Sequence, residues 1–134
     1  MIKNTGIYIH IPFCQSKCNY CDFYSMPSNT QTIKEYTDEL KKEIILKSRT
    51  HKDKTIDTVY IGGGTPSLIN IKELEHLLFT LYKNFNCKIK ECSIEVNPCS
   101  SQNISKYKDI GINRISIGVQ SLNDEILKIL GRRH

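Results

Sequence analysis

Three cysteines stand close together near the amino terminus, at Cys14, Cys18 and Cys21, in the pattern C-x3-C-x2-C. Thiolates are soft ligands that suit iron–sulfur clusters or zinc. A structural zinc site takes four protein ligands, usually as two C-x2-C pairs, and the sequence has no second such pair. Three thiolates on one loop can bind three irons of a [4Fe–4S] cube and leave the fourth iron open for another ligand. The spacing therefore favours a cluster over the alternative of three ordinary surface thiols.

The other three cysteines, Cys87, Cys92 and Cys99, are scattered over the second half of the chain, and we expect them to be small buried or half-exposed thiols without chemistry. An even number of cysteines would suit a disulfide framework in a secreted domain. The amino terminus, however, has the alternation of a strand instead of the long apolar block of a signal peptide. The expectation is therefore a cytoplasmic protein with reduced thiols.

The charge balance and the length of the apolar runs argue against two classes of protein. The chain of 134 residues has 19 Lys and Arg against 14 Asp and Glu, and the resulting net charge of +5 is spread along the sequence. A mild and dispersed excess of this kind is a poor indication of nucleic-acid binding. No apolar run approaches the roughly 18 residues that a membrane-spanning helix needs. We therefore expect neither a nucleic-acid partner nor an integral membrane segment.

Strand and helix signals alternate along the chain. Apolar patterning predicts four strands, over residues 6–11, 57–61, 91–96 and 114–119. Helical spacing predicts a first helix over residues 30–48, with Thr30 or Thr32 as its cap and Glu35 completing a capping box. Asn70 is expected to cap a second helix with the apolar stripe Leu74, Leu77, Leu78 and Leu81. Two shorter helices are expected over 103–109 and 124–130, ending at Gly111 and Gly131.

This alternation predicts an α/β fold with four βα units and parallel strands. Four units form a curved partial sheet and leave the last strand as an open edge, which folded proteins usually cover. The expected architecture is thus a partial (β/α) barrel that is truncated before closure. Residues 1–134 would then be the N-terminal portion of a core domain, with its remaining βα units and C-terminal domain absent.

Polar residues stand where each predicted strand ends. The cysteine-rich segment follows the first strand, residues 62–64 (three glycines) end the second, Glu95 ends the third and Gln120 the fourth. In parallel α/β folds, the carboxyl ends of the strands hold the ligand site. Alternation along the third strand turns Glu95 inward, while Ile94 and Val96 face the helices. We therefore expect these groups to converge on one rim of the sheet.

The cysteine triplet, with the aromatic residue Tyr20 directly before its last cysteine, resembles the radical S-adenosylmethionine (SAM) superfamily. Four further segments are similar to the oxygen-independent coproporphyrinogen III oxidase-like group within it. They are YIHIPFC from Tyr8, GGGTPS from Gly62, SIEVNP around Glu95, and NRISIGVQS from Asn113 with a later LGR that ends at Arg132. These motifs occur in order and span almost the whole chain.

The resemblance implies a radical SAM barrel in which the open iron of the cluster chelates SAM. Reduction then cleaves SAM to methionine and a 5′-deoxyadenosyl radical. It implies Cys14, Cys18 and Cys21 as cluster ligands, and as cofactor-binding residues Tyr8, Tyr20, Gly63, Gly64, Thr65, Glu95, Gln120 and Arg132. Without the resemblance, the glycines would be an ordinary Gly-Pro turn and Arg132 a solvated cation at a helix end. No residue is assigned as catalytic.

Two functions compete within this group. The oxidases carry a further cysteine two residues after the triplet, where this sequence has Phe23, and a longer segment ahead of the triplet. Both departures resemble the HemW-like branch, whose members are described as haem chaperones. That resemblance implies haem binding, a haem-acceptor protein and a flavodoxin- or ferredoxin-like reductant. The alternatives are a coproporphyrinogen III oxidase, whose substrate is a porphyrinogen, and a zinc-binding interaction module.

Overall fold

Parallel strands form the main sheet of the protein. The computed structural model describes residues 3–27 and 29–134, and its strands are β1 (Lys3–Ile11), β2 (Phe13–Cys14), β3 (Met26–Pro27), β4 (Lys54–Gly63), β5 (Asn86–Val96) and β6 (Arg114–Ile117). The main sheet has the order β1-β4-β5-β6, and every neighbouring pair in it is parallel. The short strands β2 and β3 form a separate parallel ladder. The predicted parallel sheet is therefore confirmed, and β1, β4 and β5 begin earlier than the sequence pattern indicates.

A helix follows each strand of the main sheet. The helices are α1 (Thr30–Thr50), α2 (Ile71–Asn84), α3 (Ile104–Asp109) and α4 (Asp124–Ile129), with 3₁₀ segments at Pro66–Leu68 and Pro98–Asn103. The α/β class is thereby confirmed, since strand and helix alternate four times along the main sheet. Among the residues that the structure describes, no helix has the length and apolar character to cross a membrane.

An apolar core fills the space between one face of the sheet and the helices. The side chains of Ile11, Ile61 and Ile94 point into it from three neighbouring strands and have no exposed surface. From α2 come the four predicted leucines, all buried: Leu74, Leu77, Leu78 and Leu81. Asn70 caps this helix as predicted, because its side chain accepts a hydrogen bond from the backbone N–H of Lys72 at 2.9 Å. Strand alternation leaves the other face for polar and aromatic side chains.

The cap of α1 differs from the prediction. Asn29, and neither Thr30 nor Thr32, is the capping residue, since its Oδ1 accepts from the backbone N–H of Thr32 at 2.9 Å. An asparagine just outside a helix can turn its amide oxygen back onto the first turn, whereas both threonines already belong to the helix. Glu35 accepts a hydrogen bond from Gln31 at 2.6 Å. The predicted threonine capping box is therefore wrong, although the helix itself is confirmed.

Strand β6 ends at Ile117, two residues before the predicted end. Beyond it the chain folds back on itself, with N–H groups of Val119 and Ser121 donating to the carbonyls two residues earlier, at 3.0 and 2.7 Å. Gln120 lies in the middle of this turn with a φ of 57°. The ladder between β5 and β6 ends at Ile117, so the predicted strand over 114–119 is wrong in its last two residues. Gln120 stands on a turn instead of a strand end.

Candidate metal and cofactor site

The cysteine loop, residues 14–21, starts where β1 ends and is closed by the β2–β3 ladder. Phe13 pairs with Met26 in this ladder, and the N–H of Met26 donates to the carbonyl of Pro12 at 2.7 Å. The loop is thus held at both ends next to the carboxyl edge of the main sheet. Its three cysteines line one cleft of about 530 Å³.

This cleft brings together ten of the eleven site residues that the sequence predicts. Its lining includes Cys14, Cys18, Tyr20, Cys21, Gly63, Gly64, Thr65, Glu95, Gln120 and Arg132. Tyr8 is the exception. It lies on the polar face of the sheet, where its ring stacks on the ring of Tyr60 with 6.1 Å between centroids. The pairing of Tyr8 with Tyr60 in neighbouring parallel strands explains this contact.

Gly63 and Gly64 let the end of β4 lie against the start of the cysteine loop. Gly63 has a φ of +121°, which L-residues rarely adopt, and a Cβ there would lie 2.8 Å from the carbonyl oxygen of Ile11. A Cβ on Gly64 would lie 2.6 Å from the carbonyl oxygen of Phe13 and 2.9 Å from Cys14 Sγ. The N–H of Gly64 uses this proximity to donate to the Ile11 carbonyl at 2.8 Å. Both positions therefore require glycine for the approach of one backbone to another.

Two side chains donate hydrogen bonds to cysteine sulfurs. Thr65 is buried, and its Oγ1 donates to Cys14 Sγ at 3.6 Å. Arg132 Nη1 donates to Cys18 Sγ at 3.4 Å. Tyr20 lies beside this second contact: burial raises the pKa of its phenol, while the positive charge of Arg132 opposes that rise. Hydrogen bonds to sulfur are among the means by which proteins adjust iron–sulfur clusters.

Arg132 also bonds to the sheet. Its Nη2 donates to Asn97 Oδ1 at 3.0 Å and to the carbonyl of Gly118 at 2.8 Å. Its Nε is buried and has no hydrogen-bond partner among the described residues. The sequence analysis missed Asn97, although it stands two residues after Glu95 in the SIEVNP segment.

Asn19 joins the cysteine loop to the end of α4. Its backbone N–H donates to the carbonyl of Leu130 at 3.1 Å, and its Nδ2 donates to the carbonyl of Ile129 at 2.8 Å. The last carbonyls of a helix have no partner within the helix, so Asn19 satisfies two such groups. Gly131, with a φ of 73°, turns the chain toward the cleft directly afterwards. No local sequence pattern indicates this contact, which joins residues 110 positions apart.

Glu95 is held by one donor on each carboxylate oxygen. The hydroxyl of Tyr60 donates to Oε1 at 2.7 Å, and the backbone N–H of Gly63 donates to Oε2 at 3.1 Å. The hydrogen bond to Glu95, followed by burial, raises the pKa of Tyr60. Sequence analysis did not select Tyr60, although it lies on β4 between the buried Val59 and Ile61 and so faces the polar side. The orientation of Glu95 is therefore fixed by β4.

His10 lies on the polar face next to Tyr8. Its Nδ1 is 2.9 Å from the hydroxyl of Tyr8, and its Nε2 is 3.0 Å from the carbonyl oxygen of Tyr24. Both ring nitrogens are therefore engaged within the protein. Burial and, secondly, the charge of Glu95 raise the pKa of Tyr8.

The charged groups at the cleft are mostly basic. Lys17, Arg132 and Arg133 line it, and Glu95 is the one carboxylate among its described lining residues. This balance favours a ligand with negative groups. Within residues 3–27 and 29–134, no three His, Cys, Asp or Glu side chains converge as ligands of a single metal ion.

The comparisons with known proteins agree with this geometry. The family description "Radical SAM superfamily" matches residues 8–134. The chain is 39% identical over 133 residues to "Heme chaperone HemW" of Buchnera aphidicola subsp. Schizaphis graminum (strain Sg), a match that covers 96% of this chain and 35% of that protein. It is 37% identical over 135 residues to "Heme chaperone HemW" of Lactococcus lactis subsp. lactis (strain IL1403), covering 98% of this chain and 35% of that protein.

A solved structure is similar as well. It is described as "Coproporphyrinogen III oxidase (HemN) from Escherichia coli is a Radical SAM enzyme", and it superposes with a TM-score of 0.88 at 30% identity, covering 98% of this chain and 31% of that one. The chain belongs to the radical SAM superfamily, and its predicted fold class is confirmed. It spans about a third of the length of the relatives that it matches.

Tyr60→Phe removes the hydroxyl that holds Glu95 and keeps the ring. We expect the free energy of unfolding at pH 7 to fall by about 1 kcal/mol, the scale of one partly exposed hydrogen bond to a charged group. The pKa of this phenol is raised from 10.0 in the folded protein. Its stabilising effect is therefore present below pH 10 and lost as the pH rises through the folded pKa, so the difference between wild type and variant should shrink there. Urea unfolding at neutral and at high pH measures both quantities.

Tyr24→Phe is the matched control, because it removes the same group from a side chain that is 71% exposed. An unchanged free energy of unfolding in Tyr60→Phe, or an equal loss in Tyr24→Phe, would contradict the role given to Tyr60.

Proposed function

We propose that the chain binds a [4Fe–4S] cluster through Cys14, Cys18 and Cys21, and that SAM binds the iron that no cysteine occupies. Membership of the radical SAM superfamily supports both cofactors. The donor set supports the cluster, because three soft thiols line one cleft and two of them receive hydrogen bonds from Thr65 and Arg132.

The number of thiols on the loop favours a cluster over a structural zinc ion. A structural zinc site usually takes four protein ligands, and the cysteine loop supplies three thiols to the cleft. A [4Fe–4S] cube held by three thiolates keeps one iron open for another ligand. Two of the three thiols are positioned by hydrogen bonds, because Cys14 Sγ accepts from Thr65 and Cys18 Sγ accepts from Arg132.

When bound and reduced, such a cluster supplies the electron that cleaves SAM to methionine and a 5′-deoxyadenosyl radical. The residues of this chain bind and orient the cofactors. We assign SAM contacts to the cleft-lining residues Tyr20, Gly63, Gly64, Thr65, Glu95, Gln120 and Arg132. Glu95 is the best supported of these by geometry, because two donors from β4 fix its carboxylate at the cleft and its remaining lone pairs can accept from an amino or hydroxyl group of a ligand. Tyr8 acts by packing on Tyr60.

We further propose that the whole protein is a haem chaperone that binds haem and transfers it to an acceptor protein. Phe23 is the residue that favours a chaperone over an oxidase, because it stands where the oxidases have an additional cysteine. Its ring is 69% exposed and lines the cleft. A phenyl ring cannot bind iron through a thiolate, but it offers apolar surface to a flat tetrapyrrole. The names of the HemW relatives support the same function.

A flavodoxin- or ferredoxin-like protein is the proposed reductant, and the cytoplasm is the proposed location. The six cysteines all lie within the described residues and form no disulfide, which suits a reducing compartment. The second candidate function is a coproporphyrinogen III oxidase, which would decarboxylate a porphyrinogen oxidatively. The similarity to the solved HemN structure is the observation that favours it.

Haem titration and porphyrinogen turnover separate these two functions. On the full-length protein, reconstituted without oxygen, we expect haem to bind with a change in its absorbance spectrum. We expect no conversion of coproporphyrinogen III when SAM and a reductant are present. Turnover of the porphyrinogen by a protein that carries Phe23 would overturn the chaperone assignment in favour of the oxidase.

Substitution of single cysteines tests the cluster ligands. Serine nearly preserves the size of the side chain but replaces the soft sulfur, so Cys14→Ser, Cys18→Ser and Cys21→Ser should each lose most of the cluster iron. Iron analysis and visible absorbance after anaerobic reconstitution measure this loss. Cys99→Ser is the matched control, because Cys99 is exposed and lines the same cleft. An equal loss of iron in Cys99→Ser would contradict the assignment of Cys14, Cys18 and Cys21, without Cys99, as the cluster ligands.

Gly63→Ala tests the glycine turn at the SAM site. The added Cβ meets the Ile11 carbonyl at 2.8 Å in a backbone conformation that disfavours L-residues, so the end of β4 must shift. We expect the affinity for SAM to fall about tenfold, which corresponds to about 1.4 kcal/mol of binding free energy. Equilibrium dialysis measures this affinity. The iron content of the variant should stay at the wild-type value.

Gly111→Ala provides the control, because Gly111 has a φ of +91° and a Cβ there has its nearest neighbour at 3.9 Å, on Tyr82 and outside the cleft. It imposes backbone strain without disturbing the site. Equal SAM affinities for Gly63→Ala and wild type would remove Gly63 from the proposed contacts.

A further inference from the structure

Buried side-chain atoms without a hydrogen-bond partner are rare in folded proteins, and each one calls for an explanation. Three occur among the described residues, at Ser25 Oγ, Tyr107 Oη and Arg132 Nε. Ser25 and Arg132 line the cleft of the cysteines, whereas Tyr107 does not. Because the hydroxyl of Ser25 and the Nε of Arg132 can each donate a hydrogen, the cleft offers two buried donors to a ligand.

Arg132 already has an expected acceptor, because it is among the residues assigned to SAM. Its Nε–H is open to that ligand, although both terminal nitrogens bond within the protein. Ser25 is assigned to no ligand, and its hydroxyl still lacks an acceptor. Burial of an unpaired hydroxyl is costly, so we expect an acceptor for it in the filled cleft.

The backbone on both sides of Ser25 is held against the end of β1. The carbonyl oxygen of Tyr24 is 3.0 Å from His10 Nε2, and the N–H of Met26 donates to the carbonyl of Pro12 at 2.7 Å. His10 belongs to β1 and Pro12 follows its last residue. The segment that leads into the cysteine loop therefore also fixes the position of Ser25 at the cleft.

The register of the β2–β3 ladder places Ser25 on the side of Cys14. Phe13 pairs with Met26 in this ladder, and extended residues alternate between its two sides. Cys14 and Ser25, which are their neighbours in the chain, therefore share the other side. Both line the cleft, whereas neither Phe13 nor Met26 does. The hydroxyl of Ser25 thus belongs to the side of the loop that carries the thiols.

Sulfur is the acceptor that this placement favours. Two of the three thiols on the loop already accept hydrogen bonds, from Thr65 and Arg132. Within the described part of the chain Cys21 Sγ accepts none, and it stands four residues before Ser25. Thiolates and cluster sulfides carry negative charge and accept hydrogen bonds. Such a bond stabilises the reduced cluster more than the oxidised one, because reduction adds a negative charge.

We propose that the Ser25 hydroxyl donates a hydrogen bond to a sulfur of the bound cluster, on Cys21 or an adjacent sulfide, and thereby makes the cluster easier to reduce. The inference rests on the proposed function, since it requires the cluster on Cys14, Cys18 and Cys21. It gives a role to a residue that is neither a cluster ligand nor among the residues assigned to SAM.

Ser100 offers a matched control within the same chain. Its Oγ donates to Ser67 Oγ at 2.8 Å, and both serines line the same cleft. Ser100→Ala removes the same group from this cleft, but the hydrogen of that hydroxyl already has an acceptor in the protein. Ser25→Thr is the conservative variant, because it keeps the hydroxyl and adds one methyl group.

The test is a redox titration of the full-length protein, reconstituted without oxygen and kept free of SAM, with electron paramagnetic resonance to quantify the reduced cluster. At a fixed solution potential, Ser25→Ala should lower the ratio of reduced to oxidised cluster about tenfold, which corresponds to about 59 mV for one electron. Ser25→Thr and Ser100→Ala should keep the wild-type ratio. Equilibrium dialysis should give Ser25→Ala the wild-type affinity for SAM.

The outcomes separate the two levels of the proposal. A wild-type ratio in Ser25→Ala, with full iron content, overturns the inference, as does an equal drop in Ser100→Ala. Weaker SAM binding by Ser25→Ala at a wild-type ratio would make SAM the acceptor and overturn it too. If Ser25→Ala loses its iron, Ser25→Thr decides, since a wild-type ratio there supports the hydrogen bond and a tenfold drop refutes it. A wild-type protein that takes up no cluster would instead refute the proposed function.

Discussion

The closeness of two backbones at the carboxyl edge of the sheet is the constraint on which the site depends. The end of β4 passes so near the start of the cysteine loop that a Cβ on Gly64 would lie 2.9 Å from Cys14 Sγ. Only glycine fits there, and the N–H groups of residues 64 and 65 can then bond to the carbonyls of Ile11 and Phe13. These bonds attach the segment that leads into Cys14 to the end of β4, in addition to its covalent connection to β1.

The same strand fixes the carboxylate of the site. β4 supplies both donors of Glu95, the hydroxyl of Tyr60 and the N–H of Gly63, although Glu95 belongs to β5. Because strands in a parallel sheet hold a fixed register, the thiol of Cys14 and the carboxylate of Glu95 are placed relative to one another through β4. Arg132 repeats this arrangement on the other side of the cleft, where it joins Cys18 to the ends of β5 and β6.

Features that depend on local pattern were predictable from the sequence. The leucine stripe of α2 has helical spacing and the strands alternate, so the layers followed from these patterns. The polar residues at the strand ends and the three clustered cysteines predicted ten residues that line the cleft. The missed features depend on partners far away in sequence. Tyr60 became recognisable as the partner of Glu95 only from the register of β4 against β5. The bonds of Asn19 to the end of α4 likewise require the folded chain.

Local errors had a different cause. Threonine and asparagine compete for the same capping role, and Asn29 prevailed because it lies one residue outside the helix, where its short side chain reaches the first turn. Gln120 looked like the end of a strand because the apolar alternation continues to Val119, but a φ of 57° places it on a turn. Patterns of hydrophobicity do not report a single left-handed residue.

The most direct measurement is the electron paramagnetic resonance spectrum of the reduced, reconstituted protein before and after addition of SAM, together with its iron content. Binding of SAM to an iron that lacks a cysteine ligand predicts about four irons per chain and a spectrum that changes when SAM is added. A protein with full iron content whose spectrum does not respond to SAM would contradict an open iron in this cleft.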